Sequence, residues 1–180
     1  MEVKLAKTAG FCFGVKRAVD TVYKEAEKNS ERIYTFGPII HNEQVVEDLE
    51  KNGVFVVNTI EELKSLKSGT TVIVRSHGVG KGIYDLMEER GLKIVDATCP
   101  FVKKIHRIAE RESKAGKRII IIGNDKHPEV EGIKGWASSN VSMTVACPHT
   151  HPLIPSTSGC LSFPMMIMRF PDLLSRSAIL

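Results

Sequence analysis

The sequence lacks the segments that would place it in a membrane or direct it out of the cell. No stretch approaches the roughly 20 consecutive apolar residues of a membrane-spanning helix, and the opening residues MEVKLAK have no apolar core of the kind a signal peptide carries. The 180 residues, of which 42% are hydrophobic, suffice for one ordinary domain or two small ones. We therefore expect a globular cytoplasmic protein with no membrane partner.

Long runs of one charge are also missing. Lysine and arginine number 25 and acidic residues 21, which leaves a net charge of +4. The basic residues alternate with acids, as in KEAEKNSER and HRIAERESK, and form no basic block that would favour nucleic acid. No nucleic-acid partner is predicted.

The four cysteines show none of the close CxxC spacings of a zinc ribbon or a bacterial ferredoxin. They are Cys12, Cys99, Cys147 and Cys160. Structural disulfides are rare in a reducing compartment. Three roles stay open for these residues: packing, catalysis, or binding a metal whose ligands come from distant parts of the chain.

The first 136 residues alternate β-branched runs with amphipathic helical patterns, which is typical of an α/β fold with a parallel sheet flanked by helices. The predicted strands are residues 3–7, 32–36, 55–57, 71–75, 92–96 and 118–123. The predicted helices are residues 14–28, 43–52, 60–67, 81–90 and 101–115, with helix stops at Gly53, Gly91 and Gly116.

The composition changes at about residue 137. The 44 residues from there to the end contain five of the eight prolines, four of the six methionines and eight serines, with no lysine and no glutamate. CPHTHPLIPSTSG has neither a helix nor a strand period, so an irregular tail is predicted. We interpret 137–180 as a terminus that does not belong to the α/β pattern, such as a frameshifted or truncated reading frame. A disordered, proline-rich tail is the alternative.

Reactive side chains in the first 136 residues follow the predicted strands and precede the predicted helices. They are Cys12, His41, His77, Cys99, and His127 with Glu129. Because the carboxyl ends of strands form the ligand crevice of an open α/β sheet, these residues are expected at one edge. Helix N-termini and histidine donors at that edge favour an anion such as a diphosphate.

The residue types at this edge indicate a division of roles. Thiolates favour a soft metal centre such as an iron–sulfur cluster, with buried packing as the alternative for each cysteine. Glu129, at a predicted helix start, is a candidate proton donor, with helix capping as its alternative. His106, inside a predicted helix, is interpreted as a surface residue, and His149 and His151 as residues without a role.

Five segments carry a resemblance to a known family. They are AGFCFGVKRAVD, TFGPIIHNEQVV, VIVRSHGVG, VDATCPFVKKIH and GNDKHPEVEGIKGW. In order and spacing they resemble the 4-hydroxy-3-methylbut-2-enyl diphosphate reductases of the non-mevalonate isoprenoid pathway. The resemblance covers about residues 1–136.

The resemblance implies three similar α/β units around a 4Fe-4S cluster that is held by three cysteines. Cys12 and Cys99 would be two of these ligands, and no third is identified, because Cys147 and Cys160 stand in unsuitable surroundings. The histidines His41, His77 and His127 would hold the small allylic diphosphate, and Glu129 would deliver protons. The implied reaction removes the allylic hydroxyl reductively and yields isopentenyl and dimethylallyl diphosphate, with a ferredoxin or flavodoxin as electron donor.

The domain prediction follows from this resemblance. Residues 1–97 are predicted to form the first α/β unit with its cluster-ligand loop, 98–136 part of the second unit, and 137–180 a tail unlike the family, with the third unit absent. We expect a chain with these parts to bind the cluster poorly and to be inactive.

Other functions compete with this prediction. One is a non-catalytic α/β module that binds phosphate at helix N-termini while the cysteines are buried. Another is a zinc protein that uses Cys12 and Cys99 with residues of the tail, although paired ligand spacing is missing. A dinucleotide-binding enzyme is disfavoured because the first predicted turn, AGFCFG, does not supply GxGxxG.

Overall fold

A computed structural model describes the protein at residues 3–4, 10–28, 32–137, 141–145 and 166–169. The helices there are α1 (Phe13–Lys28), α2 (Glu43–Lys51), α3 (Ile60–Ser65), α4 (Lys81–Glu89), α5 (Pro100–Lys114) and α6 (Pro128–Trp136). The strands are β1 (Ile33–Phe36), β2 (Val54–Val57), β3 (Thr71–Val74), β4 (Lys93–Asp96), β5 (Ile119–Ile122), β6 (Val141–Val145) and β7 (Met166–Arg169). No helix in these ranges is long and apolar enough to cross a membrane.

Strands β1 to β4 form one parallel sheet in the order β2-β1-β3-β4. Phe36, at the end of β1, lies opposite Val57 of β2 and Val74 of β3, and Val74 lies opposite Asp96 of β4. All four strands therefore end at the same level, and the turns that follow them share one edge. This arrangement confirms the predicted α/β class.

Both faces of this sheet are covered, as the right-handed crossovers of a parallel sheet require. Because successive side chains of a strand point to opposite faces, Ile73 packs into the core that α1 and α2 cover, whereas Val72 and Val74 pack with α3 and α4. Val22 of α1 and Leu63 of α3 are fully buried in these two cores. The sheet is thus a rigid support for its turns.

Local signals set the ends of the helices. The Asn42 side chain accepts a hydrogen bond from the Val45 amide at the start of α2, and Thr59 and Glu62 form a capping box at α3. Gly53, Gly91 and Gly116 follow their helices with positive φ, as the sequence predicts.

A second sheet has the order β6-β5-β7, in which β5 pairs with β6 in parallel and with β7 in antiparallel orientation. Helices α5 and α6 cover β5 through buried Ala109, Ile121 and Ile133. Strands β6 and β7 fall within 137–180, where the sequence pattern predicts an irregular tail. The prediction is wrong for these two strands. They are no shorter than β1 to β5, but the serines, prolines and methionines around them mask their apolar runs, so the tail as a whole shows no period.

Most predicted elements are present within one or two residues of their expected ends. The predicted strand 3–7 lies mainly outside the described residues, and Val3 and Lys4 have no regular structure. The boundaries at 97 and 136 stay predictions, because a change of sheet does not by itself define a domain.

Candidate functional site

The turns after β1, β3 and β4 are joined at the carboxyl edge of the first sheet by the buried residue Ser76. Its hydroxyl donates a hydrogen bond to the carbonyl of Ile39 (2.9 Å), just before His41. Its carbonyl accepts a hydrogen bond from the amide of Cys99 (2.9 Å). Ser76 therefore holds together the backbone segments that carry His41, His77 and Cys99. The sequence analysis missed it, although its place directly before His77 at a strand end was a usable signal.

His41, His77 and His127, which come from three different turns, meet to form a three-histidine cluster. The ring centroids of His41 and His77 are 4.7 Å apart, and those of His77 and His127 are 5.9 Å apart. His41 is exposed, His127 is half-buried and His77 is buried. The structure thus brings together the three histidines that the sequence places at one edge.

Burial and nearby charges favour the neutral state of His77 and His127. Burial, with added repulsion from His41, Arg75 and His127, lowers the pKa of His77 to about 3. Burial and Arg75 also lower the pKa of His127, against an opposing effect of Glu131. The Nδ1 atom of His77 is buried and has no hydrogen-bond partner in the part of the chain that the structure describes. A bound anion would satisfy such a group and reverse the repulsion.

Arg75 is the cationic neighbour of the cluster and a second residue that the sequence analysis missed. Its guanidinium is partly buried, and its Nε finds no hydrogen-bond partner among the described residues. A side chain at Gly37, whose φ is +72°, would collide with this guanidinium. Arg75 and Glu131 also line a cavity of about 490 Å³, which none of the three histidines lines.

His127 and Glu129 begin α6 in different ways. The His127 Nδ1 accepts a hydrogen bond from the Glu129 amide (3.2 Å), so the neutral ring caps the helix and carries its proton on Nε2. The helix cap is therefore the imidazole and not the Glu129 carboxyl. The pKa of Glu129 is raised by burial, and His41 opposes this rise. The Glu129 carboxyl is therefore within electrostatic reach of the three-histidine cluster.

The cysteine pair, Cys12 and Cys99, lies where α1 and α5 begin side by side. A Cβ at Gly14 would lie 2.5 Å from the Cys99 Sγ, so the start of α1 contacts this thiol. Arg17 of α1 donates a hydrogen bond to the carbonyl of Thr98 (3.0 Å). Cys12 is exposed and Cys99 is half-buried. The alternative in which both cysteines are buried is therefore wrong for Cys12.

The donor set of the cysteine pair fits an iron–sulfur cluster in part. Cysteine thiolates are the ligands that such a cluster takes, and two cysteines lie here at neighbouring helix N-termini. Across the described ranges, no group of three or more His, Cys, Asp or Glu side chains is arranged to hold a metal ion. Cys147, Cys160, His149 and His151 lie outside those ranges.

His106 corrects the sequence analysis, because it is not a surface residue. Its side chain is only 3% exposed, and its ring stacks on that of Trp136. Val102, His106 and Ala109 are spaced four and three residues apart, which puts His106 on the buried face of α5. That spacing was the signal that could have identified it.

Comparison with known proteins gives a consistent family assignment. A model of the family described as LytB protein matches residues 3–160. The 4-hydroxy-3-methylbut-2-enyl diphosphate reductase of Caldanaerobacter subterraneus subsp. tengcongensis is 51% identical over 137 residues, which cover 76% of this chain and 47% of that protein. The reductase of Thermoanaerobacter pseudethanolicus is 44% identical over 161 residues, which cover 89% of this chain and 56% of that protein.

Solved structures of similar proteins agree. A structure of (E)-4-hydroxy-3-methyl-but-2-enyl diphosphate reductase, described as the terminal enzyme of the non-mevalonate pathway, is 36% identical with a TM-score of 0.67, covering 82% of this chain and 51% of that one. The E-1-hydroxy-2-methyl-but-2-enyl-4-diphosphate reductase from Plasmodium falciparum is 32% identical with a TM-score of 0.72, covering 77% and 42%.

The extent of these matches is informative in two ways. The chain spans about half the length of the curated relatives it matches. The family match continues to residue 160, beyond residue 136, where the resemblance was expected to stop.

Proposed function

The chain belongs to the LytB protein family, and on that premise we propose that it serves the reductive dehydroxylation of 4-hydroxy-3-methylbut-2-enyl diphosphate. In this reaction the allylic C–O bond breaks, and the substrate takes up two electrons and two protons. The oxygen leaves as water, and the products are isopentenyl and dimethylallyl diphosphate. Relatives that carry the name of this reductase support the proposal.

The observation that carries the proposal is the meeting of His41, His77 and His127 beside Arg75. Neutral imidazoles donate through N–H, and the guanidinium adds a fixed positive charge, so together they suit a diphosphate. The buried His77 Nδ1, which has no partner within the described ranges, is a group that a phosphoryl oxygen can satisfy. These groups would hold the diphosphate, and the allylic end of the substrate would point away from the three histidines.

Glu129 is proposed to belong to the proton-delivery path. Its carboxyl is partly buried, and burial raises its pKa, so the protonated form persists to higher pH than in water. His41, which acts on this carboxyl electrostatically, is exposed to solvent. The pair links the interior of the site to bulk water.

Cys12 and Cys99 are proposed to hold two corners of an iron–sulfur cluster, with the third ligand outside the described residues. When bound, this group would supply the two electrons one at a time and a Lewis-acidic iron for the hydroxyl. A reduced ferredoxin or flavodoxin is proposed as the electron donor. The contact between Gly14 and the Cys99 thiol sets the separation of the two helix starts.

The test is anaerobic reconstitution of the 180-residue protein, followed by iron and acid-labile sulfide analysis and by titration with inorganic pyrophosphate. Because the chain is expected to bind the cluster poorly, we expect less iron and sulfide than a full cluster, and what is retained should depend on both Cys12 and Cys99; pyrophosphate binding should depend on His77. Retained iron that is unaffected by the loss of either cysteine, together with pyrophosphate binding, would overturn the reductase proposal and favour the non-catalytic phosphate-binding module.

A further inference from the structure

Buried His106 of α5 and half-buried Trp136 of α6 form an aromatic pair outside the three-histidine cluster. Their ring centroids are 5.7 Å apart and their planes differ by 21°, which is a stacked arrangement. His106 is 3% exposed, and its Nε2 has no hydrogen-bond partner in the described part of the chain. Burial lowers the pKa of this histidine to about 4, with Asp96 opposing, so the ring is neutral at pH 7.

The edge of the His106 ring is pressed between two glycines. A Cβ at Gly78 would lie 2.6 Å from its Cε1, and a Cβ at Gly132 would lie 3.2 Å from its Nε2. Gly78 directly follows His77 and has a φ of +71°, a conformation that other residues adopt only with strain. The ring therefore occupies a slot whose walls are backbone, and one wall is the turn that carries His77.

Trp136 also contacts the turn that carries His77. Its indole Nε1 donates a hydrogen bond to the carbonyl of Val79 (2.8 Å). Close to it, a Cβ at Gly80 would lie 3.0 Å from the Cα of Gly135, so the backbone of α6 touches the backbone of the turn. The turn of residues 76–80 belongs to the first sheet, whereas His106 and Trp136 belong to the helices that cover the second.

The slot selects the shape of the His106 ring and not its polarity. A buried polar nitrogen without a partner costs free energy that an apolar side chain of similar volume would avoid. A flat ring is, however, the shape that fits between two backbone walls and stacks on an indole. The shape matters here because any displacement of the ring moves Gly78, and with it His77.

We propose that His106 is a positioning residue: stacked on Trp136 and wedged between Gly78 and Gly132, it fixes the turn that carries His77 and so sets the geometry of the three-histidine cluster. The inference deepens the proposed function and rests on it only for the role of His77 in holding the diphosphate. The geometric part concerns the turn itself and can be measured without any ligand.

The experiment compares four variants of the 180-residue protein. His106→Ala empties the slot, and His106→Phe keeps a flat ring in it. Gly132→Ala leaves His106 in place but pushes on its Nε2, and it is tolerated by the helix. Ile133→Ala is the matched control, because it removes a buried side chain of α6 from the core of the second sheet. Circular dichroism selects the temperature at which all are folded.

Two readouts are taken at neutral pH. The first is the Cε1–H resonance of His77 in protein labelled with ¹³C-histidine, which reports the position of the ring without ligand. The second is the affinity for inorganic pyrophosphate by calorimetry. We expect His106→Ala and Gly132→Ala to shift the His77 resonance and to weaken pyrophosphate binding by roughly tenfold, the scale of a small misplacement of a binding group. His106→Phe should restore both, and Ile133→Ala should change neither.

An unshifted His77 resonance in His106→Ala and in Gly132→Ala would overturn the inference, as would an equal shift in Ile133→Ala. If His106→Ala fails to fold, Gly132→Ala decides the question alone. Failure of the unaltered protein to bind pyrophosphate would overturn the diphosphate role of His77, while the resonance still decides whether His106 positions the turn. The fluorescence of Trp136, which is the one tryptophan of the chain, checks that the His106 and Gly132 variants alter the pair and that Ile133→Ala does not.

Discussion

The three-histidine cluster and the cysteine pair lie at the same edge of the molecule but differ in how the chain encloses them. His77 is buried, and its turn is fixed by Ser76 on one side and by His106 and Trp136 on the other. Cys12 is exposed at the start of α1. Both come from turns that precede helices, so local structure alone does not explain the difference.

The side chains beside the cysteines are exposed as well. Phe11 is 48% exposed, Phe13 65% and Phe101 69%, and these three aromatic residues flank the cysteines. Around the histidines, by contrast, burial and like charges already set the protonation states. The comparison teaches that the described residues enclose the three-histidine cluster, whereas Cys12 and the aromatic residues beside it stay exposed.

The largest effect is expected at the cysteine pair. Replacing Cys12 or Cys99 by serine should reduce bound iron and sulfide to background, because a hydroxyl is a poor substitute for a thiolate at iron. Cys147→Ser and Cys160→Ser serve as matched controls and should leave the iron content unchanged, since neither stands in surroundings typical of the third ligand. Loss of iron in either control would assign that ligand and contradict this expectation.

The next largest effect is expected at the three-histidine cluster. His77→Ala removes the central ring of the cluster, and we expect a loss in pyrophosphate affinity of about 10- to 100-fold, or roughly 1.4 to 2.7 kcal/mol. Calorimetry on folded protein measures it. Iron binding should be retained, because the His77 side chain is not one of the groups proposed to hold the iron. Equal affinity in the variant would remove His77 from the proposed site.

The free energy of unfolding should depend on pH because His77 and His106 are buried. The pKa of His77 is about 3 and that of His106 about 4 in the folded protein, against 6.5 for an unfolded histidine. As pH falls below 6.5, the unfolded state takes up protons first, so the stability present above that pH is lost as it falls towards the folded-state values. The slope approaches about 1.4 kcal/mol per pH unit for each histidine.

Urea unfolding between neutral pH and about pH 4.5 measures this slope. His106→Phe should make it shallower by the share of one histidine, whereas Cys12→Ser should leave it unchanged. An identical slope in His106→Phe would mean that His106 titrates normally in the folded protein, which its burial contradicts.

The smallest effect is expected at Ser76, which connects the three-histidine cluster to the cysteine pair. Ser76→Ala deletes the hydroxyl's hydrogen bond to the Ile39 carbonyl, which keeps only the longer bond from the Ser76 amide (3.4 Å). The expected cost is about 0.5 to 1.5 kcal/mol in unfolding free energy. Because Ser76 joins the turns of His41 and Cys99, pyrophosphate and iron binding should both weaken slightly. Ser65→Ala, which removes an exposed hydroxyl bonded to Glu62, is the control. An effect on one side only would show that Ser76 does not couple them.

The sequence predicts much of this arrangement because its signals are local. Alternating hydrophobic periods identify β1 to β5 and α1 to α5, and glycines such as Gly53 and Gly91 identify helix ends. The position of each histidine just after a strand predicted that the three lie close together. His127, however, follows β5 of the second sheet, so its approach to His77 depends on the packing of α6 against the turn of residues 76–80. The roles assigned to Cys12, Cys99, the histidines and Glu129 stay predictions until the experiments above are done.

Tertiary structure alone decided what surrounds those residues. His106 has the helical spacing of a buried residue, but only the approach of α6 supplies Trp136 and turns it into a wedge. Arg75 and Ser76 belong to the site because strands that are distant in sequence end at the same level. The physical reason is that periodicity and turn chemistry depend on neighbours along the chain, whereas burial, stacking and pKa depend on neighbours that only folding brings together.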